Sequence, residues 1–130
     1  MTNLEDVLAG LWAQLPGCRV TAVVGMDGLL VERHPSVAVG TALGSAPGGD
    51  ELEYLAADLT TAFTLVGGEL SKQLGSRVDE LVALGESGGY LARRVDANLF
   101  VFVVVGATAD LGVVRRSVAG VCEQLAAEFA

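Results

Sequence analysis

The sequence predicts an α/β (α+β) fold, a three-layer α/β/α sandwich around a five-stranded, mostly antiparallel sheet, and three observations carry that expectation. Five β-rich segments and three amphipathic helical stripes alternate along the 130 residues. The strands come as two groups joined by a long helix, which a simple doubly wound sheet does not accommodate. The last strand, Leu99-Phe100-Val101-Phe102-Val103-Val104-Val105, is apolar at every position, so it needs cover on both faces and belongs at the centre.

The elements follow in the order α-β-β-α-β-β-β-α. Leu4, Val7, Leu8, Leu11 and Leu15 recur at three- and four-residue steps behind Asn3, a good N-cap, and Pro16-Gly17 ends the pattern. Val20 to Gly25 and Leu29 to Arg33 are rich in β-formers, and Asp27-Gly28 between them signals a two-residue hairpin turn with both positions at positive φ. From His34 to Asp50 no period holds; Pro35, Pro47 and several glycines mark a long loop. Asp50 with Glu53 resembles a capping box opening a helix over 51–74, whose stripe is Leu52, Leu55, Ala56, Leu59, Phe63, Val66, Leu70 and Leu74. Gly75 suits its C-terminal end. Val78 to Leu84, Tyr90 to Val95 and Leu99 to Val105 then read as a three-stranded meander. Asp110 caps a last helix with the stripe Leu111, Val114, Val118, Val121, Leu125 and Phe129.

Length and composition predict one domain over 1–130 with its own core. A formal charge of −8 argues against nucleic acid and against anionic membrane surfaces, and the longest apolar run is far shorter than a membrane span. The acidic start, Glu5-Asp6, is unlike a signal peptide, so a cytoplasmic protein is expected. Cys18 and Cys122 read as free thiols. The single histidine, His34, reads as a solvated loop residue, and neither a metal site nor a cofactor is expected. The glycine-rich run 44–49 lacks the Lys and Ser or Thr of a phosphate-binding loop. Ala, Val, Leu and Gly are abundant, which suggests a GC-rich bacterial source.

The element order, the Val23-Val24-Gly25-Met26-Asp27-Gly28-Leu29-Leu30-Val31 hairpin, and the ending in which Asn98 to Val105 leads into Leu111-Gly112-Val113-Val114-Arg115 together resemble the Roadblock/LC7 family. The resemblance runs from about Leu4 to Phe129 and is strongest to the bacterial MglB-like branch. It implies a profilin-like sandwich with helix two on one face and the terminal helices on the other. It also implies dimers that align third strands and second helices, and non-enzymatic roles: dynein light chains, lysosomal scaffolds and bacterial partners of Ras-like small GTPases, some of which stimulate GTP hydrolysis.

The residues themselves offer an interface in helix two and the third strand. Ala57, Thr61, Thr64, Gly68 and Ser71 recur at steps of four and three, and all are small, so another backbone could come close. The alternative is a snug contact with the domain's own sheet or a neutral exposed face. Two adjacent helix-interior glycines, Gly67-Gly68, each cost on the order of 1 kcal/mol against alanine, which implies a bend or a close neighbour. The third strand, including Val78, Glu80 and Val82, is an edge in the isolated chain; Asp79 and Glu80 could instead blunt it.

No catalytic residues are expected. Asp79-Glu80, Glu51 with Glu53, and Glu5-Asp6 read as a solvated strand edge and helix N-terminal charge. Arg93 and Arg94 face opposite ways, and Arg33, Arg115 and Arg116 lie off the helix-two surface, so no arginine finger is assigned. The expected function is a homodimeric module that regulates or scaffolds a Ras-like small GTPase. A small-molecule sensing domain and a structural adaptor are the alternatives.

Overall fold

In the computed structural model, residues 3–35, 40–41, 44–45 and 49–129 are described, with backbone alone at 40–41, 44–45, 49–50 and 129. Helix α1 (Leu4–Gln14) starts where the Asn3 side chain accepts a hydrogen bond from the Glu5 N–H at 2.8 Å. Gly17, at φ 81°, turns the chain into β1 (Cys18–Gly25), which leads to β2 (Leu30–His34). Then come α2 (Gly49–Leu74), β3 (Glu80–Gly85), β4 (Gly88–Arg94), β5 (Leu99–Gly106) and α3 (Leu111–Phe129).

The five strands form one sheet in the order β2-β1-β5-β4-β3, and every neighbouring pair is antiparallel. β5 is central, as its unbroken apolar run demands. Phe100 and Phe102 pack with Leu52, Ala56, Leu59 and Phe63 of α2, while Val101, Val103 and Val105 pack with Leu8 and Leu11 of α1 and Val114, Val118 and Leu125 of α3. The alternation of side chains along one strand thus divides the core into two layers, one per sheet face.

Three local expectations need correction. The first hairpin is not a two-residue turn: the Gly28 N–H donates to the Gly25 carbonyl and the Gly25 N–H to the Leu29 carbonyl, both at 2.9 Å. Only Gly28 takes positive φ (+91°), while the Asp27 carboxylate accepts the Leu29 N–H at 3.0 Å; a three-residue loop therefore ends on one left-handed glycine. Helix α2 begins at Gly49, so Asp50 sits inside its first turn rather than capping it. His34 ends β2 half-buried, its ring edge-on to Trp12 at 5.3 Å, and is not a solvated loop residue. Most of the segment from His34 to Asp50 lies outside the described residues; within it Gly40–Thr41 pairs antiparallel with Gly44–Ser45.

The remaining helix ends behave as the sequence implies. The Asp110 carboxylate accepts the Val113 N–H at 3.2 Å at the start of α3. Gly75, at φ +71°, closes α2 through its N–H to the Ser71 carbonyl.

Candidate protein interface

Helix α2 divides at Phe63. Leu52, Ala56, Leu59 and Phe63 are buried under the sheet, but Val66, Leu70 and Leu74 are 51%, 38% and 67% exposed. Leu70 and Leu74 follow Phe63 by seven and eleven residues, which places them within about 20° of it around the helix. They therefore continue the core stripe past the point where the sheet ends. The sequence assigned all three to the core; the correction is that this half of α2 overhangs its own sheet.

The small residues occupy a different side. Ala57, Thr61, Thr64 and Gly68 are exposed and lie roughly 120° around the helix from the stripe. Thr61 donates its hydroxyl to the Ala57 carbonyl at 3.1 Å and Thr64 to the Thr60 carbonyl at 3.0 Å. With those hydroxyls satisfied inside the helix, the face offers methyl groups and bare backbone. Tyr54 and Leu65 extend it as exposed apolar side chains. A Cβ added at Gly68 would meet nothing within 4 Å, and one at Gly67 would make ordinary contact with Val78 at 3.8 Å. Crowding within the chain does not account for either glycine.

Ser71 and Val78 are brought together: the Val78 N–H donates to the Ser71 Oγ at 3.2 Å, tying the end of α2 to the approach to β3. β3 forms one edge of the sheet and pairs with β4 alone, among the described residues. Its side chains divide between the faces. Leu81 packs on the α2 side, whereas Glu80 turns to the α3 side, so Val82 and Leu84 follow Glu80 there. Glu80 and Val82 thus share with α2 a strand edge but not a side-chain surface.

Glu80 is also not the solvated edge charge the sequence suggested. Its side chain is 14% exposed; Oε2 accepts from Arg115 Nε at 2.8 Å and forms an ion pair with Nη2 at 2.8 Å, and Oε1 lies 3.5 Å from Arg93 Nη1. Asp79 is exposed and pairs with Arg77 at 2.8 Å. Arg93 and Arg94 do face opposite ways: the Arg94 guanidinium lies 5.3 Å over the Phe63 ring on the α2 side. The Glu80 cluster joins residues 35 apart in sequence, so no local motif announces it.

Burial pushes the Cys18 and Cys122 thiols up to about 12. Both are free and buried, and burial outweighs the opposing effects of the Val20 carbonyl on Cys18 and of Arg93 on Cys122. Relative to an ordinary thiol at 9.0, the thiolate fraction near pH 8 falls by about a thousandfold. Iodoacetamide at that pH is therefore expected to label neither cysteine until denaturant unfolds the chain; rapid labelling of the folded protein would contradict the burial.

No protein-family model matches the chain, and no curated protein matches it. Solved structures do. A Roadblock/LC7 domain from Streptomyces avermitilis superposes with a TM-score of 0.81 at 17% identity, covering 98% of each chain. The gliding protein MglB from Thermus thermophilus gives 0.80 at 24% identity, over 96% of this chain and 88% of that one. A further structure, described as MglB with a tetrameric arrangement, gives 0.78 at 23% identity over 93% and 83%. With the strand order, the central apolar strand and the one-against-two division of helices already established, these matches identify the architecture: the chain has the Roadblock/LC7 fold.

Proposed function

We propose that residues 1–130 form a single Roadblock/LC7-type domain, a homodimeric and non-enzymatic module that regulates or scaffolds a Ras-like small GTPase in the bacterial cytoplasm. The observation that carries the reading is the overhanging half of α2, which leaves Val66, Leu70 and Leu74 exposed in a row that the core has already begun to bury. Large apolar side chains aligned on one element mark interaction surfaces. The free edge of β3 lies next to them, and pairing with a second copy would satisfy its backbone while bringing two α2 helices side by side.

In this arrangement Ala57, Thr61, Thr64, Gly68, Ser71 and Val78 line or flank the helical contact, and Glu80 and Val82 contribute through the β3 backbone. The likeness to MglB structures, one described as a gliding protein and another as tetrameric, supports an assembling, regulatory role. Stimulation of GTP hydrolysis, where it occurs, would act by remodelling the GTPase's own switch loops against the paired helices. Arg115 and Arg116 stand on α3, away from that surface.

Light scattering over a concentration series, alone and with a candidate small GTPase loaded with GDP or a GTP analogue, tests the proposal. A dimer that gains mass only with the GTP-analogue form is the expected result. A monomer that ignores both forms overturns it.

A further inference from the structure

On the sheet face opposite α2, a groove runs between the edge strand β3 and the first turns of α3, and its two ends differ in chemistry. At one end Glu80, Arg93, Arg115 and Arg116 line a cleft of about 300 Å³. At the other, Leu84, Ala109 and Leu111 line a cleft of about 140 Å³. Gly112 borders the first cleft and Leu111 the second, while Glu80, Val82 and Leu84 point to one side of the same strand, so the clefts are parts of one groove.

The basic end stands out against the rest of the molecule. The chain has eight Lys and Arg residues against sixteen Asp and Glu, yet three arginines meet here around one carboxylate. Glu80 fixes Arg115 with two 2.8 Å contacts and takes a weaker one from Arg93. Arg116 has no ion-pair partner among the described residues. Against the three arginines stand the Glu80 carboxylate and, beside Gly112, that of Asp110, so one net positive charge remains, and the guanidinium forks of Arg93 and Arg116 retain donors for another carboxylate. Gly112 keeps the floor open: a Cβ there would sit 3.3 Å from Asp110 Oδ1 and 3.6 Å from Arg116 Nη1.

We propose that this groove docks an extended acidic segment of a partner protein, with one carboxylate among Arg93, Arg115 and Arg116 and one bulky apolar side chain against Leu84 and Leu111. Leu84 lies four positions after Glu80 along β3, which in extended chain is about 13 Å. The two anchor residues of the segment therefore stand about four positions apart. A free anion is a poor occupant, because the Arg115 side chain is 57% exposed and solvent screens a lone charge there. A chain segment joins the charged contact to an apolar one, so each raises the effective concentration of the other. The groove makes no use of the α2 face.

The test is fluorescence anisotropy on the full chain, using synthetic peptides in a Ser/Gly background that carry one Glu and one Leu at increasing separation. Binding is expected to be tightest near about four positions and to weaken with added salt. Arg116→Glu and Leu84→Asp, both at exposed positions, are each expected to weaken it by roughly ten-fold, with unchanged thermal melting as the check on folding. Absence of binding at every separation, indifference to separation, or insensitivity to both substitutions overturns the proposal. Binding of a phosphoserine peptide but not of the Glu peptide also overturns it, in favour of a phosphate site.

Discussion

Replacing Leu70 and Leu74 together with aspartate is expected to convert the proposed dimer to a monomer without altering its circular dichroism. Both side chains keep exposed surface in the single chain, 38% at Leu70 and 67% at Leu74, and that surface is what a partner would cover. In a symmetric dimer each position occurs twice. The exposed fractions amount to about one leucine per subunit, so at about 2 kcal/mol for a leucine taken fully out of water the substitutions remove on the order of 4 kcal/mol of association energy across the two copies. That corresponds to about three powers of ten in the dimer Kd. Sedimentation or light scattering at micromolar concentration reads the change directly, and a dimer mass that persists in the double variant contradicts the paired-helix arrangement.

Gly68→Leu separates the two faces of α2. The glycine lies on the small-residue side, away from the leucine stripe, and has open space around it in the single chain. A leucine there is expected to weaken association even though the subunit accommodates it, because the proposed helical contact includes this side. An unchanged dimer mass by light scattering at low concentration would refute that part of the contact and confine it to Val66, Leu70 and Leu74. The pair of variants therefore maps which side of α2 is covered.

The central strand was legible in the sequence because local pattern sets it, whereas the division of helices between two faces came from the resemblance to the Roadblock/LC7 family. An apolar run such as Leu99 to Val105 admits few solutions, and the caps at Asn3 and Asp110 are short-range chemistry. The exposed end of α2 was concealed by the same patterning rule. Leu70 and Leu74 lie on the stripe of Phe63, and periodicity alone cannot say where the sheet stops. A length argument could have found it: 26 helical residues span about 39 Å, while strands of five to eight residues reach only about 17–27 Å. The Glu80 cluster was illegible for another reason, since Arg93 and Arg115 reach it across 13 and 35 residues of chain. The hairpin at Asp27-Gly28 was found but given the wrong turn, because the same dipeptide serves two- and three-residue loops, and the difference lies in the backbone of Asp27.

Phe63→Ala is expected to lower stability by about 3–5 kcal/mol in denaturant unfolding, the range for truncating a buried aromatic. The ring is 2% exposed, tilted against Phe100 at 5.2 Å between centroids, and carries the Arg94 guanidinium on its other contact. Truncation opens a cavity against β5 and leaves Arg94, whose Nε is buried without a hydrogen-bond partner, no aromatic surface to lie on. Phe63→Leu keeps most of the volume and loses the ring, so it should cost about 1.5 kcal/mol. Phe63 also fastens α2 at the point where its outer half leaves the sheet, which gives the substitution a second signature. Unfolding of a dimer depends on protein concentration. The Leu70 and Leu74 aspartate variant should lose that dependence, whereas Phe63→Ala should keep it and unfold at lower denaturant at every concentration, because the core anchor and the association surface are separate parts of one helix. A cost below about 1 kcal/mol for Phe63→Ala would mean that α2 is not held to the sheet at this residue.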